Sequence, residues 1–180
     1  MHALFHQQLY IAMFVSIGIV GGYCDMRTGK IPNWLTLPAI IAGLVAHGVL
    51  DGGHGLVSAT CGGVIMLSCL LPFVLMRGVG MGDLKLLIAT GISAGIEKCF
   101  WILLFAVFIN AVFAIILAVR KRCLGSAIAN TFTIMHFAIV RPFRPHPELN
   151  LDNKSVYRFP FGVAVGIGCI VTAIRAGVIG

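Results

Sequence analysis

The chain has 180 residues, of which 59% are hydrophobic and only 11% charged, with a formal net charge of +7 and a mean hydropathy of +1.00. A soluble domain carries about 25% charged residues, so water is not the main solvent of this surface. Runs of about 20 apolar residues recur, each long enough to cross ~30 Å of hydrocarbon as a helix, whereas open strands would leave backbone N–H and C=O groups unpaired in lipid. The composition therefore predicts an all-α polytopic membrane protein, with residues 1–180 as a single membrane-embedded domain and the lipid bilayer as its partner.

The positive charge does not point to nucleic acid, because the basic residues sit in short loops between apolar runs. Six cysteines form no CxxC pair and read as small apolar packing residues. The histidines show no HExxH or other metal spacing, so neither metal nor cofactor is expected.

Residues 1–7 read as a short polar tail. The first apolar run, 9–24, has no Lys or Arg before it and no small-x-small site near its end. It is therefore expected to be a retained helix rather than a cleaved signal. A polar loop from Asp25 to Asn33 carries Arg27, Lys30 and Pro32. Pro32 cannot donate a backbone hydrogen bond and disfavours helix in the residue before it. The second helix starts near Trp34, a residue suited to a membrane interface, and runs to about Leu50. Asp51-Gly52-Gly53-His54-Gly55 reads as a tight loop without basic residues.

The third run covers 56–76 and leads into Gly80-Met81-Gly82-Asp83. The fourth, 84–96, is short. From Asp83 to Glu97 a helix covers only about 21 Å, which predicts either a recessed Asp83 or a locally thin bilayer. Glu97-Lys98 is expected to turn the chain into the fifth run, 99–119. Residues 123–158 form a long stretch near the cytoplasmic surface. Within it, 124–140 reads as an interfacial amphipathic helix, with a seventh span as the alternative. The last run, 159–180, holds Gly162, Gly166 and Gly168, which permit close helix packing.

Loop charge sets the topology. With alternate loops assigned to alternate sides, Lys98 and Arg175 fall on one side and the other eleven of the thirteen basic residues on the opposite side. Under the positive-inside rule the expectation is about six helices with both termini outside and with Asp25 and Asp83 cytoplasmic.

Of six acidic residues, Asp51, Glu97, Glu148 and Asp152 lie in expected loops and read as solvated charges. Asp25 and Asp83 lie at helix ends on one face of the membrane. A carboxylate near the bilayer is costly and reads as functional by default. The competing reading is helix capping. It suits Asp83 before Leu84 but not Asp25, which ends its helix, where the macrodipole disfavours an anion.

Two carboxylates held close cannot easily both ionise and so share a proton. The ionised one can activate water, and the protonated one can stabilise the oxyanion and protonate the leaving nitrogen. That chemistry needs neither a metal nor a covalent intermediate. Gly80 and Gly82 beside Asp83 allow turns that other residues resist and leave room for an extended substrate.

With these residues the chain resembles the type IV prepilin peptidase family. The resemblance is carried by Asp25 with the following Ile31-Pro32-Asn33, and by Gly80-Met81-Gly82-Asp83-Leu84-Lys85; Pro160-Phe161-Gly162 is a looser match. It implies that Asp25 and Asp83 are the catalytic pair of an aspartic endopeptidase. The implied partner is a prepilin-like protein, whose short basic leader is cut after a glycine on the cytoplasmic side of the inner membrane. Lys85 either tunes Asp83 or flanks the membrane as a cation. Asn33 either bonds near the site or, the preferred reading, caps the second helix.

Larger family members carry a cytoplasmic insertion with paired CxxC motifs and also methylate the new N-terminus. No such insertion stands here, which points to the compact, peptidase-only branch of tight-adherence (Flp-type) pilus systems, to which archaeal preflagellin peptidases are similar. Two alternatives are weaker. A presenilin-like intramembrane protease also uses GxGD, but no Pro-Ala-Leu is present. A proton-coupled transporter or assembly subunit would place its ionisable groups nearer the midplane.

Overall fold

The computed structural model describes residues 2–76, 79–121, 125 and 160–179. They form five helices: α1 (His2–Thr28), α2 (Asn33–Leu50), α3 (Gly52–Leu75), α4 (Met81–Arg120) and α5 (Phe161–Ile179). Four of them are long and apolar enough to cross a membrane, and α5 contributes a shorter apolar helix, Phe161–Gly177. This is the architecture of a polytopic membrane protein. The expected interfacial helix at 124–140, and nearly all of the stretch 123–158, lies outside the described residues.

The largest fully buried apolar side chains come from four helices. Phe14 of α1, Met66 of α3, Leu86, Leu87 and Ile102 of α4, and Val165 of α5 are fully buried. On α2, by contrast, Trp34, Leu37, Ile41, Val45 and Val49 are exposed at helical spacing along one face. Such a face suits a surface whose solvent is hydrocarbon.

A straight helix of 40 residues, the length of α4, would reach about 60 Å, twice the thickness of the hydrocarbon core. The chain avoids this by breaking at Gly95, which takes φ 71° and ψ 178°. That region is open to glycine and strained for other residues. The N–H of Ile96, released from the helix ladder, donates to Ser58 Oγ at 3.1 Å. The limb before the break packs on α2 and α3, with Ile92 against Gly43 and Gly91 against Gly62. The limb after it returns along α5, where Gly168 meets the backbone of Ala106. The turn expected at Glu97-Lys98 thus stands slightly earlier, because the left-handed conformation needs the glycine.

α1 and α5 meet backbone to backbone. A Cβ added at Gly22 would stand 2.9 Å from Gly162 O, and one at Gly166 would stand 2.8 Å from Gly18 O. This antiparallel approach rests on the packing role expected of the α5 glycines, joined by Gly18 and Gly22.

Other boundaries shift. The expected polar tail is helical, since α1 begins at His2. Its far end passes Asp25 and stops at Thr28, where Gly29, at φ 63°, donates its N–H to Asp25 O at 2.8 Å. The expected loop 51–55 shrinks to Asp51, with Gly52 opening α3.

Candidate active site

Asp25 lies in the last turn of α1 and is only 9% exposed. Its Oδ2 accepts the N–H of Gly162, in the first turn of α5, at 2.8 Å. Asp83 lies in the first turn of α4, half-buried, at the same end of the bundle as Asp25, because Gly21, one turn before Asp25, abuts the side chain of Leu86, one turn after Asp83. Residues 58 positions apart in the chain are thus brought to one end of the bundle.

The motif around Asp83 works differently from expectation. Gly80, extended at φ −72° and ψ 146°, occupies the N-cap position before α4 and offers no side-chain cap of its own. Asp83 is therefore not the N-cap. It is the third residue of the helix, and its carboxylate lies back against Gly80, with Oδ2 3.1 Å from where a Gly80 Cβ would stand. Gly82 faces the α1–α2 connection, because a Cβ there would be 3.3 Å from Ile31 Cβ. The room expected beside Gly82 is filled by Ile31, which is buried.

Pro32 sits extended before α2, at φ −75° and ψ 144°, and accepts the Leu35 N–H at 3.2 Å. Asn33 does not cap α2, which starts without a side-chain cap. Its Oδ1 instead accepts Lys85 Nζ at 2.9 Å. Lys85 therefore ties the start of α4 to the start of α2 and has its hydrogen bond to Asn33 rather than to Asp83. The sequence motifs converge on one end, and their polar members Asn33 and Lys85 bond each other.

A second polar cluster occupies the other end. Asp51, expected to be a solvated charge, accepts the Tyr10 hydroxyl at 2.6 Å and contacts His6 Nδ1 at 2.9 Å. Tyr10 stacks on His47 with ring centroids 3.8 Å apart, and His47 Nε2 lies 3.3 Å from Ser93 O. The Tyr10 hydroxyl holds the Asp51 carboxyl below the usual carboxylate range, against partial burial, with His6 adding to the effect. A cavity of about 310 Å³ opens here, lined by His6, Gln7, Tyr10, Asp51 and Lys98. Sequence reading missed this cluster, whose directly bonded partners are 41 to 46 positions apart. It also missed the contact of Gly162 with Asp25, for which Pro160-Phe161-Gly162 was the one available signal. Among the described residues no group of three His, Cys, Asp or Glu side chains is placed to hold a metal.

Comparison with known proteins bears on this geometry. Residues 12–118 match the type IV leader peptidase family, a stretch that includes Asp25 and Asp83. Two prepilin leader peptidase/N-methyltransferases of Burkholderia pseudomallei, from strains 1026b and K96243, are each 36% identical to the chain over 104 residues. The matched stretch is 54% of this chain and 34% of each relative, so the chain covers about a third of their length. No solved structure matches it significantly.

Proposed function

The chain belongs to the type IV leader peptidase family, and on that premise we propose that it is a membrane aspartic endopeptidase acting on prepilin-like proteins. The carrying observation is that Asp25, buried in the last turn of α1, and Asp83, in the first turn of α4, lie at one end of the bundle, where α1 and α4 pack through Gly21 and Leu86. Two acids so placed share a proton. The ionised carboxylate takes a proton from water as the water oxygen attacks the scissile carbonyl carbon. The protonated partner donates to the developing oxyanion, then passes its proton to the leaving nitrogen as the C–N bond breaks. One water is consumed, and the pair regains its single shared proton when the new carboxyl and amino ends depart.

The proposed topology has six crossings, counting the two limbs of α4 separately, with both termini outside and the aspartates facing the cytoplasm. Loop charge supports that orientation. The proposed substrate presents a short basic leader followed by a hydrophobic helix, and the cut falls between them at the inner membrane surface. The sequence holds no CxxC pair, and the proposal is restricted to the peptidase step.

Co-expression of the full chain with a small prepilin-like protein tests this reading. The expected product has lost its leader and carries a new N-terminus on the cytoplasmic side of its hydrophobic helix. A cut within the helix, or an intact substrate beside folded enzyme, overturns the proposal.

A further inference from the structure

Asp25 occupies an awkward place for a carboxylate. It lies in the last turn of α1, where the unpaired carbonyls of the helix end disfavour a negative charge. It is also buried, so water does little to offset that cost. The compensation comes from another helix. α5 opens at Phe161, after Pro160, and Val163 N–H turns back to Pro160 O at 3.1 Å. The Gly162 N–H, one of the first-turn donors without a partner in its own helix, points instead to Asp25 Oδ2 at 2.8 Å.

This contact leaves no room for a side chain. A Cβ at position 162 would stand 2.9 Å from Asp25 Cβ and 3.0 Å from Asp25 Oδ2. The two helices are also held in this register from the other side, because Gly22, one turn before Asp25, abuts Gly162 O. The other α5 glycines have different neighbours: Gly166 meets Gly18, and Gly168 meets Ile102 and Ala106 of α4. Of the glycines in α5 described here, Gly162 alone abuts an ionisable side chain.

We propose that the Gly162 backbone amide is the positioning group for Asp25, fixing Oδ2 so that the other carboxylate oxygen is presented to water and to Asp83. The inference rests on the reading of Asp25 and Asp83 as the hydrolytic pair. Gly162 does not touch the reacting atoms; it sets the position of the side chain that does. Absence of a Cβ is what allows the amide to reach a buried carboxylate across a helix–helix contact.

The test uses the full-length enzyme and a prepilin-like substrate, with kcat and KM measured for Gly162→Ala, Gly22→Ala and Gly168→Ala beside Asp25→Asn. Gly162→Ala displaces the carboxylate directly. Gly22→Ala moves the amide away from the α1 side without placing an atom beside the carboxylate, and decides the matter where Gly162→Ala does not accumulate. Gly168→Ala disturbs α5 packing against α4, at a distance from Asp25. The expected result is a fall in kcat of about 10²-fold for the first two, as for a misplaced reacting group, with KM within about twofold. Gly168→Ala is expected to retain its kcat.

Wild-type kcat in both Gly162→Ala and Gly22→Ala, with Asp25→Asn inactive, overturns the positioning role while leaving the hydrolytic pair standing. An equal loss in Gly168→Ala overturns it in favour of general packing. Full activity in Asp25→Asn removes the hydrolytic pair itself, and the positioning role with it.

Discussion

The two ends of this helix bundle each hold acid, but they treat it in opposite ways. At one end Asp51 is met by donors: the Tyr10 hydroxyl at 2.6 Å and His6 at 2.9 Å, with His47 4.0 Å away. At the other end lie two carboxylates, Asp25 and Asp83, and among the described residues Asp25 accepts one backbone amide, that of Gly162. A carboxylate satisfied by donors is settled and holds elements together. Two that compete for a proton are poised for proton transfer. On the proposed mechanism, the company a carboxylate keeps, more than its depth, separates a clasp from a reaction centre.

Exchange of single carboxylates is the strongest way to break this contrast. Asp25→Asn or Asp83→Asn is expected to lower cleavage of a co-expressed prepilin-like substrate by at least about 10³-fold, the scale of a lost general acid or base, with the protein still folded. Asp51→Asn is expected to cleave at the wild-type rate. Residual cleavage near wild type in either of the first two, or loss in the third, reverses the roles of the two ends.

Stability should follow the opposite order. Tyr10→Phe removes the hydroxyl bound to Asp51 and is expected to cost about 1 kcal/mol, read as a lower melting temperature in detergent with cleavage unaffected. The same clasp carries a pH signature. The folded-state value of Asp51 is depressed, chiefly by the Tyr10 hydroxyl, from its ordinary 3.8. The stability it contributes is therefore fully present above that ordinary value and is lost as pH falls through the lower folded one. Melting temperatures followed downward through this acid range should fall more steeply for the wild type than for Asp51→Asn, and parallel curves would remove Asp51 from the account. The smallest effect is expected at Lys85. Its bond to Asn33 is exposed, so Lys85→Met should change kcat by less than about threefold, in keeping with the weight of an exposed polar contact. A loss as large as that of Asp83→Asn would place Lys85 in the chemistry.

Much of this was legible in the sequence where chemistry and local conformation coincide. Asp25 and Asp83 stood out because glycine and proline punctuation surrounds rare charges in an apolar chain, and both fall at one end of the bundle. The apolar runs located the helices for the same reason: lipid leaves little choice of backbone. What escaped was whatever depends on distant partners. Asn33 looked like a cap because its local position suits one, yet its oxygen is taken by Lys85, 52 positions away. Asp51 looked solvated because its neighbours are glycines, while its partners come from α1. Hydropathy points to a turn at the charged Glu97-Lys98, whereas α4 breaks at Gly95, where positive φ, invisible in a hydropathy profile, fixes the break.

The meeting of Gly18 and Gly22 with Gly166 and Gly162 has a consequence for how the protein is made. A ribosome delivers α1 to the membrane long before α5, and 137 positions separate Asp25 from the amide it accepts. Through that interval the aspartate waits among the carbonyls of its own helix end, without its donor. The glycine contact joins α1 to α5, so Asp25 acquires that donor only once α5 has been made. On the proposed mechanism, a half-made chain would hold both aspartates and still lack the arrangement needed to cut.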